Sequence, residues 1–145
     1  MEELYQDIIL EHNKRPRNYG PLQEATHSAD GHNPLCGDEM KVTMRILGNE
    51  IQAVHFQGQG CAISKASASL MTEVLSGKAR DDARKIAEQV LISLKSGNQE
   101  MLMERDGELA ALSGVKKFPA RIKCATLAWH AFLSALDRGE SISTE

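Results

Sequence analysis

Met40-Lys41-Val42-Thr43-Met44-Arg45-Ile46-Leu47-Gly48-Asn49-Glu50-Ile51-Gln52-Ala53-Val54-His55-Phe56-Gln57 is the stretch on which the fold turns. Met40, Val42, Met44 and Ile46 alternate with Lys41, Thr43 and Arg45, the period-two pattern of a strand with one buried face. Gly48-Asn49 supplies a tight hairpin, and Ile51 to Gln57 returns as the next strand. Gly58-Gln59-Gly60 is expected to break it.

On either side of this hairpin the periodicity is helical. Leu4, Tyr5, Ile8, Ile9 and His12 recur at helix spacing until Arg15-Pro16 ends the pattern, which predicts an N-terminal helix. Leu22 to Ser28 reads as a short, poorly patterned strand. Cys61 to Leu75 reads as a helix with a small-residue stripe at Ala62, Ala66 and Ser69. Asp81 or Asp82 caps the next helix, whose apolar face is Ala83, Ile86, Ala87, Val90, Leu91 and Leu94. Ser96 to Gly107 reads as a connector and Glu108 to Leu112 as a short helical turn. Pro119 suits a first helical position, and Ile122, Trp129, Leu133 and Leu136 mark a long C-terminal helix closed by Gly139. Strands and helices are segregated, so the expected class is α+β. It comprises an antiparallel sheet of about three strands packed against several helices, in one domain spanning residues 1–145.

Composition narrows the function. Charged residues make up 26% and the formal net charge is −3, so a basic nucleic-acid-binding face is not expected. Mean hydropathy is −0.35, and no apolar run approaches the roughly 18 residues of a membrane span. Met1-Glu2-Glu3 lacks the basic start of a signal peptide, which predicts a cytoplasmic protein. In that compartment thiols stay reduced, so the 3 cysteines are structural thiols, metal ligands or reactive sulfur.

Each cysteine falls at an element boundary. Cys36 lies in the turn Asn33-Pro34-Leu35-Cys36-Gly37-Asp38, Cys61 opens a helix after a glycine turn, and Cys124 is in the second turn of the final helix. A single cysteine is most often a small buried hydrophobe. Three at boundaries, with a carboxylate two residues after the first, suit a site, because helix N-termini favour thiolates. Three thiolates and Asp38 make a tetrahedral zinc set, although the long intervals between the cysteines match no zinc-finger template. His32, four residues before Cys36, is an alternative fourth ligand, and Asp38 can instead be an ordinary turn residue. His130 points away from Cys124, about 600° round the helix. Gly58-Gln59-Gly60 lacks the lysine of a phosphate loop. Ser64, Ser67 and Ser69 read as a small-residue helix face.

Three segments together resemble the cysteine motifs of the IscU/SufU family: Asn33 to Asp38, Gly58 to Ser64, and Ala120-Arg121-Ile122-Lys123-Cys124-Ala125-Thr126-Leu127-Ala128-Trp129. The resemblance covers nearly the whole chain, including the Arg15-Pro16-Arg17-Asn18 turn. Lys123 stands where IscU-type scaffolds have histidine, and extra sequence lies around Ser96 to Val115. Both features resemble the SufU type. The resemblance implies zinc held by Cys36, Asp38, Cys61 and Cys124. It also implies Cys36 as acceptor of persulfide sulfur, Arg121 near the site, and a zinc-dependent sulfurtransferase role. A SufS-type cysteine desulfurase would be the partner, with a downstream iron–sulfur assembly scaffold as recipient. The alternatives are a scaffold on which a [2Fe–2S] cluster is built and transferred, and a structural zinc module for protein interaction. Four anionic donors outweigh a divalent charge, so Arg121 and Lys123 would help to offset the excess. Cys36, on a glycine turn, is the ligand freest to swing out for thiol exchange.

Overall fold

The computed structural model describes residues 3–34, 36–96, 102, 107–137 and 142–143. In chain order these form α1 (Glu3–Lys14), β1 (His27–Asn33), β2 (Asp38–Leu47), β3 (Glu50–Gln59), α2 (Ala62–Leu75) and α3 (Arg80–Ser96). A 3₁₀ helix (Gly107–Lys117), α4 (Pro119–Asp137) and β4 (Ile142–Ser143) complete them. The sheet order is β3-β2-β1-β4; the first three strands are antiparallel, and the two-residue β4 lies parallel to β1. The architecture is the expected α+β layer.

The expected hairpin forms across Gly48-Asn49, with Leu47 paired to Glu50. Its inward residues Val42, Met44, Ile51, Val54 and Phe56 are fully buried and share one core with Leu70, Met71, Trp129 and Phe132. Removing an apolar side chain of this size from water contributes about 1.5–3 kcal/mol. Trp129 satisfies its indole N–H by donating to Ser67 Oγ at 2.9 Å, which ties α4 to α2.

Three expected boundaries move, the smallest at α3, which starts at Arg80 and so carries Asp81 and Asp82 in its first turn instead of at its cap. The strand expected at Leu22 to Ser28 instead runs His27–Asn33. Its inward residues are Ala29, Gly31 and Asn33, so the apolar signal of a half-buried strand is missing. A Cβ on Gly31 would sit 3.0 Å from Leu127 Cδ1 and 3.3 Å from the Ala131 Cβ, so small residues here let α4 lie close to β1. The break expected at Gly58 also shifts: β3 continues to Gln59, with Gly58 paired to Met40 at φ 140°. A Cβ on Gly58 would lie 2.0 Å from the Glu39 carbonyl oxygen, so only glycine carries the strand through. These two extra residues deliver Cys61 beside the start of β2.

Elsewhere the short helical turn expected at Glu108 to Leu112 is part of the longer 3₁₀ helix. Most of the connector expected at Ser96 to Gly107, and the stop at Gly139, lie outside the described residues. After α1, Asn18 accepts from Phe56 N–H (3.1 Å) and Gly20 N–H donates to Phe56 C=O (2.8 Å), covering the edge of β3. Among the described residues no helix is long and apolar enough to cross a membrane.

Candidate metal centre

The β1–β2 turn, the start of α2 and the second turn of α4 meet at one end of the sheet. Gly37, at φ 71°, reverses the chain between Cys36 and Asp38, and Cys36 N–H donates to the Asn33 carbonyl at 3.3 Å. Asp38 opens β2 opposite Asn33 and is fully buried. A buried carboxylate needs donors. It has them from Cys61 N–H, 2.9 Å from Oδ1, and from the Asn33 amide, 3.5 Å from Oδ2.

The sulfurs of Cys36 and Cys124 lie 3.4 Å apart. That is too far for a disulfide and close to the roughly 3.8 Å edge of a tetrahedron with metal–sulfur bonds of about 2.3 Å. Donor atoms of Cys36, Asp38 and Cys124 all lie within 4.8 Å of one another. Cys61 stands beside this trio. Its sulfur caps α2 by accepting from Ser64 N–H at 3.4 Å, while its own N–H holds Asp38.

Burial, first of all, pushes the Cys124 thiol far above its usual range, reinforced by the Cys36 sulfur, the Asp38 carboxylate and Cys61. Conversely, Arg121 is held above its ordinary range, first by a hydrogen bond to Cys124 and then by the charges of Cys61, Cys124 and Cys36. Its Nη1 also lies 3.8 Å from Cys36 Sγ on the exposed side. Cys36 is half-buried and Cys124 fully buried, so the two sulfurs differ in access.

The donor set fits a borderline divalent ion such as zinc: soft sulfurs, one hard oxygen and room between them. Space depends on Gly60, where a Cβ would lie 2.6 Å from Asp38 Oδ1. Two buried polar atoms here, Asn33 Oδ1 and Ser64 Oγ, have no hydrogen-bond partner among the described residues. Of the residues read from the sequence, Cys36, Asp38, Cys124 and Arg121 converge, with Cys61 adjoining them. His32 is exposed and outside the donor group. Sequence reasoning assigned no role to Asn33 or Ser64; the one available signal was a polar residue at an inward strand position.

A second group, His12 with Glu73 and Glu108, joins α1, α2 and the 3₁₀ helix. Its core is a hydrogen-bonded chain through the buried His12. His12 Nδ1 is 2.7 Å from Ser69 Oγ and Nε2 is 2.6 Å from Glu108 Oε1.

Residues 4–125 match the family described as NifU-like N terminal domain. A Bacillus subtilis protein named zinc-dependent sulfurtransferase SufU is 39% identical over 140 residues, covering 97% of this chain and 94% of its own. A Streptococcus pyogenes protein named iron–sulfur cluster assembly scaffold protein IscU is 36% identical over 138 residues, 95% of this chain and 86% of its own. A crystal structure from Fervidobacterium islandicum, named as an iron–sulfur cluster assembly scaffold protein for the SUF system, superposes with a TM-score of 0.82 at 30% identity. It covers 90% of this chain and 95% of the other.

Proposed function

Because this chain belongs to the NifU-like N-terminal domain family, we propose that it serves iron–sulfur cluster assembly as a zinc-dependent acceptor and carrier of persulfide sulfur. The observation that carries this reading is the pairing of a solvent-reachable Cys36, beside Arg121, with a buried Cys124 whose sulfur is 3.4 Å away and a buried Asp38 within 4.8 Å. The relative named as a zinc-dependent sulfurtransferase supports it.

Zinc would be held by Cys36, Asp38, Cys61 and Cys124, and when bound it keeps these sulfurs deprotonated without redox chemistry. Sulfur would arrive as a persulfide on a cysteine desulfurase. The Cys36 thiolate attacks the terminal sulfur of that persulfide. The donor's S–S bond breaks as the new one forms on Cys36, and the donor cysteine leaves as a thiolate, so no electrons are gained or lost overall. Arg121 faces Cys36 and offers positive charge where sulfur anions exchange. Transfer from Cys36 to a downstream assembly scaffold repeats the same exchange. Asp38, the hard donor among soft ones, is the weakest member of the set and lets the site open.

The test is desulfurase turnover with free cysteine and no iron present. Zinc-loaded protein is expected to raise sulfide or alanine output, and Cys36→Ala to abolish the effect. The relatives named as scaffolds favour a second reading, in which the same residues receive a [2Fe–2S] cluster as cargo. Asp38→Ala separates the two. A durable coloured cluster with sulfur transfer undiminished would favour the scaffold.

A further inference from the structure

Asn33 ends β1 directly across from Asp38 and is fully buried. Its Nδ2 lies 3.5 Å from Asp38 Oδ2 and 3.6 Å from Cys124 Sγ, so one amide faces two of the proposed ligands. These are long contacts, the spacing of groups that tighten when the sulfur and carboxylate are both charged. Its Oδ1 is buried with no partner among the described residues. Turning the amide over would set its carbonyl against the Asp38 carboxylate, acceptor against acceptor, so Asp38 fixes the orientation. A buried oxygen left unpaired costs stability, so the placement of this amide is explained by what its N–H groups hold. The backbone of the same residue accepts from Cys36 N–H and so closes the turn on which the third donor rides.

We propose that Asn33 is a positioning residue of the metal centre, whose side-chain amide donates to Asp38 and Cys124 and holds both in the ligand set. The proposal rests on the reading of this cluster as a metal centre. Asp38 is then gripped from both sides, by Cys61 N–H on Oδ1 and by Asn33 on Oδ2. Partners that orient ligands in this way commonly change metal affinity by about 10–100-fold when removed. An N–H directed at Cys124 also draws charge off its sulfur. That makes Cys124 the poorer nucleophile and leaves Cys36, facing Arg121 and solvent, the one that exchanges.

Cobalt(II) in the full chain reports this directly, because its absorption reads both sulfur ligation and coordination geometry. Asn33→Ala is expected to keep sulfur-to-cobalt absorption, to shift the ligand-field bands, and to weaken cobalt and zinc binding by about 10-fold or more in chelator competition. Asn33→Ser, which retains one donor, should fall between; it decides the matter by the same spectrum if the alanine variant does not fold. Combining Asn33→Ala with Asp38→Ala should cost little beyond Asp38→Ala alone, since one acts partly through the other. Asn33→Ala, or Asn33→Ser in its place, with unchanged spectrum and affinity overturns this role and leaves the metal centre standing. A wild-type chain without sulfur-to-cobalt absorption overturns the metal-centre reading, and this one with it.

Discussion

Gly60 and Asp38 show how tightly single residues specify the centre. A methyl on Gly60 would meet Asp38 Oδ1 at 2.6 Å and crowd Ser64 Oγ at 3.2 Å. Gly60→Ala is therefore expected to push the carboxylate from its place while leaving the core intact. Zinc affinity should fall about tenfold, some 1.4 kcal/mol, with little change in the unfolding of metal-free protein. Titration against a chromophoric chelator measures this, and unchanged affinity would speak against the placement of Asp38. The cysteines and Asp38 were legible in the sequence because reactive residue types at element boundaries stand out from an apolar background. Asn33 was not, since its role depends on the register that sets it opposite Asp38. Gly58-Gln59-Gly60 was legible only as a break, whereas one glycine continues a strand and the other makes room for a carboxylate.

At the scale of elements, α1 is tied down by one buried imidazole. His12 bridges Ser69 of α2 and Glu108 of the 3₁₀ helix, partners 57 and 96 residues away in sequence. His12→Ala leaves a cavity and strips Ser69 Oγ of one of its two partners, the Arg17 N–H remaining, a loss of about 2–3 kcal/mol. The melting temperature should drop by roughly 5–10 °C in calorimetry. A change under 1–2 °C would mean α1 is held mainly by its apolar face. The sequence placed His12 on the right helix but contained no sign of such distant partners. The bounds of β1 shift for a related reason: its inward residues fit α4 and are not an apolar series. On α4, burial and then the charge of Lys95 hold His130 below its ordinary value of 6.5. Burial and then Arg80 act in the same direction on His27. Unfolded chains thus bind protons that folded ones refuse, so stability is full above about pH 6.5 and declines as pH falls through the folded values. Denaturant unfolding of metal-free protein from pH 7.5 to 5 should show that decline. His130→Gln should flatten it, and an identical slope would clear His130 of the effect.

For the whole molecule, the centre joins parts of the chain that are far apart in sequence: the turn before β2, the start of α2 and the second turn of α4. An ion bound there should act as a clamp on the sheet–helix packing. Free zinc at about a hundredfold above its Kd should add about 2.7 kcal/mol, raising the melting temperature by roughly 5–10 °C. A chelator should reverse the gain, and Cys124→Ser should remove it. Absence of any shift would deny the coupling of metal to fold. The overall architecture was legible from the Met40–Gln57 hairpin and from helical periodicity on both sides of it. What the sequence could not convey was convergence, because nothing in a linear chain says that Cys36 and Cys124 end 3.4 Å apart. On the proposed reading, that convergence gives Cys36 the role of acceptor and Cys124 that of anchor. The direct measurement is mass spectrometry of the zinc-loaded chain, quenched at intervals after mixing with a cysteine desulfurase and free cysteine. One added sulfur atom should appear on Cys36 first. Sulfur accumulating on Cys61 or Cys124 while Cys36 stays unmodified would contradict it.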